Sequence, residues 1–141
     1  MPSNNQITGN IGMYYTCFKL SQLGLNVMPT SRNAKGPDVI AYTADRGRFF
    51  TFQVKAMSKL ANINLGGSLD LPQATWWVVI IGVQGEPKAL ILTPDEIRAS
   101  CREYQGKFWA QGRELANAQE VVNNWQRILA DEFMGVSHIC E

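Results

Sequence analysis

The chain has 141 residues, with 13 Lys or Arg against 12 Asp or Glu for a net charge of +1, 45% hydrophobic residues and 18% charged ones. That length suits one domain with a single substantial core over residues 1–141, and the composition is ordinary for a soluble globular protein. The longest apolar run, Ala74 to Val83, is interrupted by Thr75 and Gly82 and is too short to cross a bilayer, and Met1 to Gln6 has neither the basic nor the apolar region of a signal peptide.

In chain order, the first predicted element is a helix from Thr8, as N-cap, to about Leu23, with Gly24 at the C′ position. Ile11, Tyr14, Tyr15, Phe18, Leu20 and Leu23 give it a broad apolar face. Leu25 to Met28 reads as a short strand stopped by Pro29, and Thr30 to Pro37 as a loop. Strands at about Val39–Thr43 and Phe49–Ala56 flank a turn from Thr43 to Arg48 and form a hairpin. Met57 to Pro72, with Gly66 and Gly67, is irregular, suiting an edge strand or a flexible loop. Trp76 to Val83 is nearly all apolar and β-branched, which predicts a strand in mid-sheet with both faces covered. Gln84 to Pro87 makes a turn and Lys88 to Leu92 a further strand.

Thr93-Pro94-Asp95-Glu96 is a helix start in which threonine caps, proline takes the first turn and Glu96 closes a capping box. That helix is predicted to end near Tyr104 to Gly106, with Phe108 and Trp109 packing on the core. A last helix spans about Arg113 to Phe133, with Leu115, Ala118, Val122, Trp125, Leu129 and Phe133 as its buried stripe. Helices and strands in this order predict an α/β sandwich with a central mixed sheet.

The chemistry concentrates between Gly36 and Lys55. Asp38 follows a proline at the start of one strand, and the next strand ends Gln53-Val54-Lys55. Residues alternate faces along a strand, so Gln53 and Lys55 point one way and Val54 the other. If the two strands pair across their turn, a carboxylate, an amide oxygen and an ammonium share one end of a sheet. Those groups suit holding a divalent cation and a water beside a phosphodiester.

Pro37-Asp38 and Gln53-Val54-Lys55 resemble the motif of the PD-(D/E)xK nuclease superfamily, the restriction-endonuclease-like fold, in the Q-x-K form of Mrr-like enzymes. Two further stretches are similar to small members of that superfamily: Gly9-Asn10-Ile11-Gly12-Met13-Tyr14-Tyr15, and Asn33-Ala34-Lys35-Gly36-Pro37-Asp38. The likeness covers about the first two-thirds of the chain. It implies an α/β sandwich with a central mixed sheet flanked by helices, built on an α-β-β-β-α-β core. It also implies a metal-dependent endonuclease that hydrolyses DNA phosphodiester bonds. Asp38, Gln53 and the Val54 carbonyl would hold Mg²⁺ or Mn²⁺, and Asp38, Gln53 and Lys55 would form the catalytic set, with Lys55 positioning water and offsetting transition-state charge. The glutamate that often completes the site from the first helix falls at Met13, and Gln53 is neutral. Asp38 is then the anionic ligand, which implies weaker metal binding than a D/E-x-K site.

Charge supports a polyanionic partner. Residues 31–60 hold six basic against two acidic residues, a net of +4, whereas the rest holds seven basic against ten acidic residues, a net of −3. Arg32, Lys35 and Lys59 are the expected nucleic-acid contacts, with DNA the expected partner and RNA the alternative. Cutting both strands would require a homodimer or two binding events. The rival reading is a catalytically inactive module of the same fold that binds nucleic acid or a protein.

Other chemistries find no pattern. Cys17, Cys101 and Cys140 are widely spaced and His138 is the single histidine, so the spacing of a zinc site is missing and reduced cysteines in a cytoplasmic protein are expected. No phosphate-binding G-x-x-x-x-G-K-[ST] loop or nucleophilic triad pattern occurs. Trp76 and Trp77 are read as core packing rather than a base-stacking platform. Tyr14 and Tyr15 are read likewise, with a phosphate within reach of either from the first helix.

Overall fold

The computed structural model describes residues 5–30, 36–71 and 74–130. Helix α1 (Asn5–Gln22) leads into β1 (Asn26–Pro29), β2 (Val39–Tyr42) and β3 (Phe49–Met57). After β4 (Ile63–Gly66) come β5 (Trp76–Ile81) and β6 (Lys88–Leu92). The remainder comprises α2 (Pro94–Ala99), β7 (Cys101–Tyr104), β8 (Lys107–Ala110), α3 (Gly112–Ala116) and two 3₁₀ helices, Gln119–Val121 and Trp125–Leu129. The result is a mixed α/β architecture. A five-stranded sheet runs in the order β1-β2-β3-β5-β6, and a separate three-stranded sheet in the order β4-β8-β7. In the larger sheet β3 and β5 are parallel and the other pairs antiparallel. No helix among the described residues is long and apolar enough to cross a membrane.

The five-stranded sheet separates two apolar layers. On one face Phe50, Phe52, Val78 and Ile80 pack under α1 and the Trp125–Leu129 turn. On the other, Trp77, Val79, Leu90 and Leu92 meet Ile63 of β4, Ile97 of α2, Ala110 of β8 and Leu115 of α3. Strand β5 lies between β3 and β6 and buries five of its six residues, as a continuous apolar β-branched run requires when both faces are covered. The Thr93 capping box forms in full: Glu96 N donates to Thr93 Oγ1 at 3.2 Å and Thr93 N donates to Glu96 Oε1 at 2.8 Å.

Helix α1 differs from its predicted form. It begins at Asn5, so Thr8 lies inside it rather than capping it. Its buried residues are Thr8, Gly12, Thr16 and Leu20, one every four positions, while Tyr14 and Phe18 are exposed. The reason is close approach. A Cβ added to Gly12 would come within the 3.0 Å of Ala56 Cβ that real Cβ atoms essentially never reach. The absent side chain lets the helix backbone settle onto β3, and Thr16 turns its hydroxyl back to Gly12 O at 2.8 Å.

Of the two readings of Met57–Pro72, the edge strand forms: β4 pairs with β8 at the border of the smaller sheet. Other predictions are corrected. The helix after Thr93 stops at Ala99, and Cys101–Tyr104 and Lys107–Ala110 form a hairpin. Its turn residues Gln105 (φ 51°) and Gly106 (φ 78°) are both left-handed, the requirement of a two-residue hairpin turn. The long last helix is replaced by α3 and the two 3₁₀ helices. Asn123 breaks the helical path with φ 52°. Its backbone N–H donates to Ala89 O at 2.6 Å and its Oδ1 accepts from Ala89 N at 2.8 Å. Helical periodicity thus yields to bonds with β6. Leu115, Val121, Trp125 and Ile128 are the buried apolar side chains there, Arg127 is buried with them, and Phe133 lies outside the described residues. The resemblance implied a helix between the third and fourth core strands, whereas the described residues between β3 and β5 hold β4 instead.

Candidate metal and phosphodiester site

Antiparallel pairing of β2 with β3 ends at Val39 opposite Phe52. Asp38 stands just beyond that pair, and its backbone is held from both sides. Its N–H donates to Phe52 O at 2.8 Å, and its carbonyl accepts from Thr30 N at 2.9 Å. The Thr30 hydroxyl donates to Pro37 O at 2.8 Å, closing the loop that returns to Asp38. Past the last strand pair, Val54 N–H has no β2 carbonyl opposite it and donates instead to Asp38 Oδ2 at 2.8 Å. A strand residue's N–H and C=O point to the same side, so the Val54 carbonyl faces the same gap between β2 and β3.

This gap opens into a cavity of about 460 Å³. The strands supply Asp38, Val54 and Ala56, and the end of β1 supplies Pro29 and Thr30. Helix α1 supplies the opposite wall with Gly9, Asn10, Met13 and Tyr14. Three sequence features named separately therefore meet here: the first helix with Met13, the Pro-Asp step and the centre of Gln-Val-Lys.

Gln53 and Lys55 take the other face of the sheet. They sit beside Trp77 and Val79 in the parallel ladder, and those two residues belong to the layer away from α1. Val54 and Ala56 alternate onto the α1 side. Lys55 Nζ lies over the Trp77 ring, 6.0 Å from its centroid. Gln53 Oε1 and the Trp77 indole N–H, from neighbouring ladder positions, are both buried without hydrogen-bond partners. Among the described residues no hydrogen bond or ion pair links Asp38 to Gln53 or Lys55. The Asp38 carboxylate lines the cavity and is held to the β3 backbone by Val54 N–H, while Gln53 and Lys55 lie on the face away from α1.

The expected nucleic-acid contacts are only partly in view. Lys59 is exposed on the bend after β3, whereas Arg32 and Lys35 lie outside the described residues. Trp76 and Trp77 are core residues, 2% and 1% exposed, as read from sequence. Tyr15 is half-buried and meets Trp125 edge-on at 6.5 Å. Tyr14 is 68% exposed and does not join the core. Cys17 and Cys101 are free thiols, and burial raises the pKa of each. Among the described residues no three His, Cys, Asp or Glu side chains cluster as a metal site. Asn10 and Thr30 were missed as cavity residues, since nothing in their spacing marks them; Thr30 could have been flagged as the first residue of the loop that leads to Asp38. No family model, curated protein or solved structure matches the chain, so its residues and their geometry carry the functional argument.

Proposed function

We propose that the protein is a metal-dependent endonuclease hydrolysing DNA phosphodiester bonds at the Asp38 cavity. The observation that carries this is the Asp38–Val54 pairing at the mouth of a cavity where β2 and β3 part. With Oδ2 held by the Val54 amide, Oδ1 is left to another ligand, and the Val54 carbonyl faces the same gap. One carboxylate and one carbonyl fit a hard divalent cation that keeps several waters and shares a substrate phosphate. Mg²⁺ or Mn²⁺ held there would supply Lewis acidity and lower the pKa of water.

The chain's own groups do the rest. Backbone bonds on both sides of Asp38 hold its carboxylate in place before substrate arrives. Lys55 is the mobile charge of the reading. No carboxylate holds it within 4.0 Å among the described residues, and its contact with Trp77 is a tether of about 0.5–1 kcal/mol at a partly exposed site. The Lys55 stem leaves β3 on the face away from the cavity, so it would orient the attacking water only for a phosphodiester held at the gap beside Asp38, where β2 and β3 part. Gln53, one residue before Val54, would act by orienting water through its amide.

The test is nicking of supercoiled plasmid by purified protein with Mg²⁺ or Mn²⁺. The expected outcome is metal-stimulated nicking that EDTA, Asp38→Ala and Lys55→Ala each abolish. A second reading, a module that binds nucleic acid without cutting it, is favoured by Gln53 and Lys55 lying on the Trp77 side of the sheet and by the single carboxylate that the described residues place on the cavity. Salt-sensitive DNA binding with no nicking in either metal would select it.

A further inference from the structure

Helix α1 carries two large aromatic side chains that the fold does not bury. Tyr14 is 68% exposed and Phe18 57%; Phe49 and Tyr104 are as exposed elsewhere, but of these four only Tyr14 lines the cavity. Four residues apart, they stand one above the other on one face of the helix. Tyr14 also lines the Asp38 cavity, with Met13 and Pro29 as further apolar lining and Thr30 and Asp38 as polar lining. An apolar wall with an aromatic ring beside a polar edge suits a nucleotide. Its flat base suits the ring and its phosphate suits the polar edge. Asp38 is the one charged side chain among the described residues lining the cavity, and its charge has the same sign as a phosphate.

Resting on the nuclease reading, we infer that the cavity takes an unpaired nucleotide of DNA, with its base stacked on Tyr14 and its neighbour along the strand on Phe18. Two consequences follow from the physics. A base inside a duplex is already stacked and must be extruded to reach Tyr14, whereas a single strand offers its bases directly. The substrate class is therefore single-stranded DNA or an unpaired end or flap. Phosphate and divalent cation also bind as a linked pair, because the one charged side chain lining the cavity among the described residues, Asp38, repels phosphate until a cation offsets it. By linkage, each raises the affinity for the other by the same factor.

The experiment is fluorescence anisotropy with a labelled oligothymidylate and a blunt duplex of equal length, in Ca²⁺ and in EDTA. The single strand should bind at least about tenfold more tightly than the duplex in Ca²⁺, and far more weakly in EDTA. Tyr14→Ala should lower single-strand affinity about tenfold, in the range of one base–aromatic stack. Tyr14→Phe should keep it within about twofold. Asp38→Asn should raise binding in EDTA, because the repulsion is gone. Tyr14 is exposed, so its truncation leaves the fold intact, which circular dichroism would verify. Equal affinity for duplex, an unaffected Tyr14→Ala, or a Tyr14→Phe as damaging as Tyr14→Ala would each overturn the inference. If Tyr14→Ala binds normally while metal-stimulated nicking persists, the stacking inference falls and the nuclease reading stands. If stacking-dependent binding holds and nicking is absent, the reverse is true.

Discussion

Two glycines one turn apart on α1 should respond oppositely to the same substitution. Either change to alanine removes backbone freedom from the unfolded chain and favours the helix by about 1 kcal/mol. At Gly9 the added Cβ meets nothing within 4 Å, so the full gain should appear. At Gly12 the added Cβ would lie closer than 3.0 Å to Ala56 Cβ, with Ala56 Cα at 3.6 Å and Ile80 Cβ at 3.8 Å behind it. Ordinary contact begins near 3.4 Å, so α1 and β3 must part by about an ångström at this point. Overpacking of this kind costs about 3 kcal/mol at the upper end of its usual range. Set against the helix gain, Gly12→Ala should lose about 2 kcal/mol while Gly9→Ala gains about 1. For a chain of this size that is a fall in Tm of roughly 6 °C against a rise of roughly 3 °C, measured by thermal or urea unfolding. The double variant Gly12→Ala with Ala56→Gly moves the methyl group from strand to helix and should recover most of the loss. Equal stability of the two alanine variants, or no recovery in the double variant, would refute the close-approach account of α1.

Two more predictions concern charge. Glu96 is buried enough for desolvation to raise its pKa, but hydrogen bonds from Arg127 and Thr93 outweigh this and hold it below the ordinary carboxylate value. A carboxylate with a depressed folded pKa contributes stability that is complete above its unfolded value, near pH 4, and is lost as pH falls through the lower folded one. Glu96→Gln should therefore flatten the acid limb of a stability–pH curve. At pH 7 it should cost on the order of 2 kcal/mol by leaving Arg127, 9% exposed, without its carboxylate, a value discounted from the fully buried case because Glu96 is 34% exposed; an unchanged acid limb would remove Glu96 as its source. Arg32→Ala, Lys35→Ala and Lys59→Ala combined should reduce the slope of log affinity for DNA against log salt by up to about three, one for each phosphate no longer neutralised. An unchanged slope in salt titrations would take those residues out of the interface.

Much of the fold was legible where one physical rule dominated locally. Trp76 to Ile81 could only be a strand covered on both sides, and Thr93 to Glu96 satisfied each other's backbone groups without outside help. The sequence misled where tertiary contacts chose the structure. Thr8, Gly12 and Thr16 carry no hydrophobic signal, yet they form the buried stripe because small size, not apolarity, sets how near α1 approaches β3. Leu115, Trp125 and Leu129 kept a helical period, but Asn123 bonds to Ala89 of β6 and the helix breaks. Gln105-Gly106 lacks the usual Asn-Gly or Asp-Gly signature, so its hairpin was hidden. At the candidate site, the Pro-Asp step was legible because a short hairpin sets its register, and the Val54 carbonyl came from the resemblance. Strand alternation separated Val54 from Gln53 and Lys55, but grouping those two with Asp38 missed that α1 packs on the Val54 face, where Gly12 meets Ala56.

The bonds between Asn123 and Ala89 bear on how the molecule can meet other chains. A sheet border with a row of unsatisfied amides and carbonyls invites a foreign strand to add itself. At the β6 border that place is already taken by residues of the same chain: Val122 bridges Leu90, and both backbone groups of Ala89 are satisfied by Asn123. The β1 border is only four residues long and ends in Pro29, which has no amide hydrogen to give. Growth of the sheet by intermolecular pairing is thus blocked on one side and cut short on the other. Losing Asn123 would uncover the β6 border, and the first symptom to expect is self-association on mild heating rather than a change in what the Asp38 cavity binds.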